Sequence, residues 1–169
     1  MRRKDRELSQ NEAYDIIDNC QYGVISCIND DEIFSVPISI VRKEDKIYIH
    51  GAKGGNKAKL FKDGKDVELV CVIDVKVPEF SNECVKQMIQ DNKAANVFTT
   101  QYKSAIAKTK AYLINDDETK IKALRLLSEK YTPKYMDAFD AAITQSLKIT
   151  NVYELKIISV SAKAKILKG

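Results

Sequence analysis

The residues able to do chemistry gather in one stretch, YIHGAKGGNKAKL, residues 48–60. It holds the chain's single histidine, His50, and the seven residues after it contain three glycines (Gly51, Gly54, Gly55) and two lysines (Lys53, Lys57). Glycines let a backbone take left-handed conformations and bring its N–H groups close to a ligand. A helix starting after them offers unpaired N–H donors and the positive end of its dipole. The two lysines add mobile positive charge. A terminal phosphate monoester suits such a loop. The same residues also read as a glycine-rich turn with solvated lysines, because Lys59, Lys62 and Lys65 continue the positive run; loop physics leaves both readings open. Two nucleotide motifs are excluded. A Walker A loop needs G-x-x-x-x-G-K-[ST], but Asn56 stands where the second glycine belongs and Ala58 where a hydroxyl would meet magnesium. G-x-G-x-x-G fails because Lys53 takes its second glycine position. His50, with an ordinary pKa of about 6.5, suits either a structural strand end or a chemical role.

The elements that must position this stretch follow from periodicity and caps. Ser9 and Glu12 form a capping box ahead of Ala13, Ile16, Ile17 and Cys20, which predicts a helix over 10–20. Strands are predicted at 23–28, 33–42 and 46–50, joined by turns at 29–32 and 43–46. Pro37 lacks an N–H, so that position should face an edge, a bulge or a ligand. A short helix over 55–63 follows the glycines, then a near-continuous apolar strand at 67–75. Residues 78–94 are polar and irregular, with a helical turn at 85–89. Residues 98–114 read as a long strand or bent pair. Asn115 and Glu118 suggest a second capping box, with Ile121, Leu124, Leu127 and Tyr131 as an apolar stripe; Pro133 ends that helix and another covers 134–147. Strands at 152–160 and 162–167 close the chain. Antiparallel strands of this number hide their edges best by closing into a barrel, and the regular crossover helices of a doubly wound sheet are absent.

With 169 residues, the chain suits one domain, taken here as 1–169, with a substantial core. No apolar run approaches the ~20 residues that span a bilayer, so no membrane partner is expected. The N-terminal MRRKDREL is charged and leads into no apolar segment, so no secretory signal is expected. Cys20, Cys27, Cys71 and Cys84 include no C-x-x-C pair, which favours reduced, mostly buried thiols in a cytoplasmic protein. With one histidine and no close cysteine pair, no metal site is expected. A net charge of +4 suits a small anion about as well as nucleic acid.

Several blocks carry a resemblance: Tyr22-Gly23-Val24-Ile25-Ser26, Val36-Pro37-Ile38, Ile47-Tyr48-Ile49-His50-Gly51-Ala52, Gly55-Asn56-Lys57, Phe98-Thr99-Thr100-Gln101-Tyr102-Lys103-Ser104-Ala105-Ile106 and Lys120-Ile121-Lys122-Ala123-Leu124. From residue 1 to about 167 the chain resembles the pyridoxamine 5'-phosphate oxidase-like FMN-binding split barrels, and among them the 5-nitroimidazole resistance group. The resemblance implies a mainly β fold with inserted helices, a six-stranded antiparallel split β-barrel. It implies a homodimer with FMN at the interface. Val36, Pro37, Ile38 and Ser39 would run along the isoalloxazine. His50, Gly51, Ala52 and Lys57 would hold the ribityl phosphate, and Tyr102 and Ser104 would lie near the cofactor. His50 matches the residue proposed to act in nitro-reducing members. Four departures stand out. Lys103 replaces an arginine, losing a bidentate fork. Lys108-Thr109 stands where Phe-Gly is common, so the sheet bend there should differ. Ser161-Ala162-Lys163 matches a Thr-Gly-Lys element loosely. No tryptophan can stack on the flavin, leaving Tyr48 or Tyr102 for that role.

Three functions follow as expectations. The first is an FMN-dependent oxidoreductase that reduces a small planar acceptor such as a nitroheteroaromatic. The second is a flavin- or haem-binding storage or sensor protein without robust turnover. The third, a nucleic-acid-binding barrel using the lysines of 53–65 and 163–168, lacks the basic-aromatic alternation of a stacking strand, so nucleic acid is not the expected partner.

Overall fold

The computed structural model describes residues 3–61 and 64–166. Along the chain run β1 (Glu7–Leu8), α1 (Gln10–Asn19), β2 (Gly23–Asn29), β3 (Glu32–Ile38), β4 (Val41–Lys43), β5 (Lys46–Ala52) and α2 (Asn56–Leu60). Then follow β6 (Lys65–Lys76), α3 (Asn82–Gln90), β7 (Gln101–Leu113), α4 (Asp117–Tyr131), α5 (Phe139–Ser146) and β8 (Thr150–Lys165). The strands form one antiparallel sheet in the order β3-β2-β6-β7-β8-β5-β4, with β1 added to β8. This is the expected split barrel, mainly β with inserted helices. Its six long strands are β2, β3, β5, β6, β7 and β8; the two-residue β1 is an addition the sequence pattern did not suggest, and the three-residue β4 carries the end of the strand expected over 33–42.

Local chemistry sets these elements. The Ser9 side chain accepts from the Glu12 N–H, and the Glu12 carboxylate accepts from the Ser9 N–H at 2.8 Å, so the first capping box forms as read. The β2–β3 hairpin turns on Asp30 and Asp31, both left-handed with φ of 47° and 69°, a conformation that aspartate tolerates. Pro37 lies on β3, which ends the sheet path, so its missing N–H falls on an edge strand. The strand expected over 33–42 is interrupted at Ser39 and Ile40. There the Ile40 N–H donates to the Tyr131 hydroxyl oxygen at 2.8 Å instead of to a neighbouring strand, and the chain crosses to β4.

Two clusters bury the apolar faces. Inside the barrel lie Ile25, Ile47, Ile49, Leu69, Phe61, Tyr153 and Leu155, with the Phe61 and Tyr153 rings edge-on at 5.6 Å. Outside it, α4 packs Ala123 and Leu127 over Val41, Tyr48 and Val152. The expected stripe is rotated by one residue: Lys120, Ala123 and Leu127 are the buried positions, and Ile121 and Leu124 are only partly covered. The cap also moves by one. Asp116 accepts from the Thr119 N–H at 2.7 Å, so the Asn115–Glu118 box does not form.

Four further expectations change. The polar segment 78–94 contains a true helix, α3, capped by Ser81, with none of its residues buried. Strands 152–160 and 162–167 are one strand, β8, because β7 supplies a partner along nearly its whole length; position 167 lies outside the described residues. The helix expected over 55–63 spans only Asn56–Leu60, with 62 and 63 outside the described residues; the helix expected over 134–147 is a 3₁₀ segment, Pro133–Ala138, followed by α5. At Lys108-Thr109 the β7–β8 register slips, leaving Ile158 as the extra residue of a bulge. Thr109 is buried beside it and donates to the Val67 carbonyl at 2.8 Å. Among the described residues no helix is long and apolar enough to cross a membrane.

Candidate functional site

β5 alternates as a strand with one face inside a barrel should. Ile47 and Ile49 enter the core, while Tyr48 and His50 point to the opposite face. α4 covers Tyr48 but not His50, which is exposed. Tyr48, 9% exposed, is therefore no platform for a flavin ring, contrary to the sequence expectation.

β5 then pairs His50, Gly51 and Ala52 with Val152, Asn151 and Thr150 of β8. Lys57, the second residue of α2, folds back over this end of the strand. A Cβ placed on Gly51 would sit 2.7 Å from Lys57 Cε and 3.3 Å from its Nζ. Gly51 leaves the space that the end of the Lys57 side chain occupies. None of Gly51, Gly54 and Gly55 has a positive φ; Gly64 is the described glycine that does. The expected left-handed glycines are thus corrected to a turn at Lys53 and Gly54 without them, and the first glycine, Gly51, leaves room for an ammonium group. Gly55 caps α2 in an extended conformation without a side-chain hydrogen bond, and the Gly55 N–H itself reaches the Ala52 carbonyl at 3.4 Å. The Lys53 N–H donates to the Ile149 carbonyl at 3.2 Å, tying the loop to the residue before β8.

His50 feels this arrangement. Crowding by protein atoms, and second the Lys57 charge, lower its pKa below the ordinary 6.5. At neutral pH it is an uncharged imidazole beside a cation, a group that can both donate and accept a hydrogen bond. An anion seated on Lys57 would oppose part of that depression.

Val36 to Ser39 leads into the same region. Val41, just past the break at Ser39–Ile40, pairs with Tyr48 of β5. Ile38 is buried in the core, so only its backbone can face a ligand, whereas Pro37 is exposed and Val36 and Ser39 are partly so.

Tyr102 and Ser104 fall elsewhere. Tyr102 pairs with Lys165 of β8 and Ser104 with Lys163, whereas His50 pairs with Val152, so eleven to thirteen residues of β8 separate the two groups. At ~3.3 Å per residue they occupy opposite ends of a long strand. Lys163 was not singled out for this site; its ammonium lies 5.9 Å from the centre of the Tyr102 ring. Only the β7–β8 register brings the two together, and no spacing in the sequence signals it. Lys103 pairs with Asp74 at 2.8 Å. A groove of about 710 Å³ opens between the β2–β3 hairpin and β6 and includes none of these residues.

Fold and site together define an antiparallel split barrel with a lysine-covered glycine at the end of one strand. The chain belongs to the pyridoxamine 5'-phosphate oxidase family, whose sequence profile matches residues 9–164. Solved structures share the fold at low identity. The flavocytochrome Anf3 from Azotobacter vinelandii is 22% identical, with TM-score 0.74, covering 95% of this chain and 71% of that one. The FAD and heme binding protein from Mycobacterium smegmatis is 20% identical, with TM-score 0.73 and coverages of 95% and 73%. A candidate 5-nitroimidazole antibiotic resistance protein from Bacteroides thetaiotaomicron is 14% identical, with TM-score 0.69 and coverages of 94% and 86%. No curated protein matches the chain.

Proposed function

We propose that the chain binds FMN and acts as a flavin-dependent oxidoreductase on a small planar acceptor such as a nitroheteroaromatic. The observation that carries this reading is the Lys57 ammonium folded over Gly51, in a family built around phosphate-bearing ligands. Lys57, with the Gly51–Ala52 backbone beside it, would hold the ribityl phosphate by charge-assisted hydrogen bonds. Val36, Pro37, Ile38 and Ser39 would flank the ring system. FMN, when bound, supplies two-electron transfer. His50, uncharged at neutral pH, would orient the acceptor through a hydrogen bond and hold a proton at one ring nitrogen.

The Tyr102 group lies at the far end of β8, so a site using it needs a second copy. The sheet offers a surface for one. Pro37, Val24, Val70 and Ile106 form a cross-strand row over β3, β2, β6 and β7, flanked by the exposed Tyr22 and Val72. In the proposed homodimer, Tyr102 and Ser104 of the partner subunit face the flavin held by His50 and Lys57. A reducing compartment suits the four free cysteines, and we assign the protein to the cytoplasm.

A second reading draws on the structures described as FAD and heme binding and as a flavocytochrome: a flavin- or haem-binding storage or sensor protein, with His50 available to haem iron. Titration of the purified chain with FMN, FAD, riboflavin and haem, followed by fluorescence, absorbance and calorimetry, separates the two. FMN binding tighter than riboflavin, with turnover of a nitroheteroaromatic, supports the first reading. A Soret band without turnover supports the second, and a protein giving no heat with any flavin and no Soret band with haem refutes both.

A further inference from the structure

Cys20 and Cys71 lie far apart in sequence and side by side in the fold. Cys20 ends α1 and is 2% exposed; Cys71, at the middle of β6, is fully buried. Cys20 Sγ lies 3.1 Å from the Tyr22 carbonyl and 3.9 Å from the Val72 carbonyl. A Cβ on Gly23 would lie 3.5 Å from Cys71 Sγ. Both sulfurs thus border one gap between the link at 20–23 and β6, where each thiol influences the ionisation of the other. Gly23 keeps that gap open, since its Cβ would also meet Leu69 Cδ1 at 2.4 Å.

The pair is chemically asymmetric. Lys130 reaches in from α4, its ammonium donating to the Cys20 and Ile40 carbonyls at 2.9 Å each. The neighbouring Cys71 thiol, with the Lys130 charge adding to it, lowers the Cys20 pKa against the opposing effect of burial. Cys71 is held as the thiol by its Cys20 neighbour and by its complete burial. One sulfur is prepared to attack and its neighbour to resolve, the arrangement of a reversible thiol couple. Access is short. The next residues, Gln21 and Tyr22, are exposed, so fraying of the last turn of α1 opens a path for a small neutral oxidant.

We propose that Cys20 and Cys71 form a peroxide-oxidisable couple that closes to a disulfide joining α1 to β6. The Cys20 thiolate attacks one oxygen of hydrogen peroxide. The O–O bond breaks, leaving Cys20 as a sulfenic acid and releasing hydroxide, which takes a proton to become water. Cys71 sulfur then attacks Cys20 sulfur, and the sulfenic hydroxyl leaves as a second water with the Cys71 proton. Two thiols lose two electrons, and one peroxide becomes two waters. A dithiol reverses the bond by exchange. The proposal does not depend on the flavin reading.

The test is to treat the reduced full-length chain with hydrogen peroxide and follow free thiols, intact mass and digested peptides. The expected result is a fall from four free thiols to two, a mass loss of about 2 Da, and a peptide linking Cys20 to Cys71, all reversed by dithiothreitol. In Cys71→Ser, Cys20 should instead stop as a sulfenic acid trapped by dimedone. The peptide map of the unmutated chain decides the matter if that variant fails to fold. Four unreacted thiols, or oxidation confined to Cys84 or Cys27, would overturn the proposal.

Discussion

Replacing Gly51 by alanine isolates the contact on which the phosphate seat rests. The new methyl would stand 2.7 Å from Lys57 Cε, closer than carbon atoms pack, so the lysine must swing away. The flexible end of a side chain does the moving, and Gly51 has no positive φ, so the fold loses little. Alanine also restricts the unfolded chain, worth ~0.4–1 kcal/mol in the opposite direction. Stability should therefore stay within about 1 kcal/mol. Ligand affinity should not. A hydrogen bond to a charged group contributes ~1.5–3 kcal/mol; at a half-buried lysine the lower end applies, or about tenfold in Kd. Lys57→Ala should cost a similar amount. The double variant should bind FMN no worse than Lys57→Ala, because with the lysine gone the methyl at 51 displaces nothing. Riboflavin, which has no phosphate, should bind all four proteins alike. Calorimetric titration of both ligands measures the cycle. Additive losses, or equal losses for riboflavin, would refute the seat.

Other consequences are open to measurement. His50 is the only histidine, so its ring protons can be followed by NMR without assignment; its pKa should lie below 6.5 and rise in Lys57→Ala as a positive neighbour is removed. Since the folded state binds this proton less readily than the unfolded chain, the His50 contribution holds stability above pH ~6.5 and declines as pH falls through the folded-state pKa; His50→Gln should flatten that part of a stability–pH curve. Tyr131→Phe strips an acceptor from the Ile40 N–H and a donor from the Gln21 and Ile40 carbonyls, and should cost ~1–3 kcal/mol, read as a lower urea midpoint at unchanged slope. Arg42→Lys should cost about 1 kcal/mol in the same assay, because lysine cannot reproduce the guanidinium fork on Asp18 or its stacking 4.5 Å from the Tyr14 ring centre.

What could be read from the chain was whatever local chemistry decides. The Ser9–Glu12 box, the Asp30-Asp31 turn and the alternation in β5 involve neighbours a few residues apart, and each forms as expected. Lys57 above Gly51 belongs to the same class, six residues apart, though the reason for the glycine was space and not backbone freedom. The misses have distant causes. The break at Ser39–Ile40 depends on Tyr131, some ninety residues away, whose hydroxyl takes the Ile40 N–H. The unity of β8 depends on β7 as its template, and the separation of Tyr102 from His50 emerges only from that ladder. The Asn115 cap failed for a smaller reason: Asp116, next to it, is an equally good capping residue and wins the Thr119 N–H.

The α3 excursion leaves the barrel and returns at nearly the same point. Lys76 and Gln101 are cross-strand partners, so residues 77–100 begin and end about one strand spacing apart, ~5 Å. No residue of α3 is buried. The barrel should therefore accept a tight turn in place of the whole segment, or new chain termini opened within it. The same two positions mark where a foreign peptide or a reporter module could be spliced without disturbing the ladder on either side.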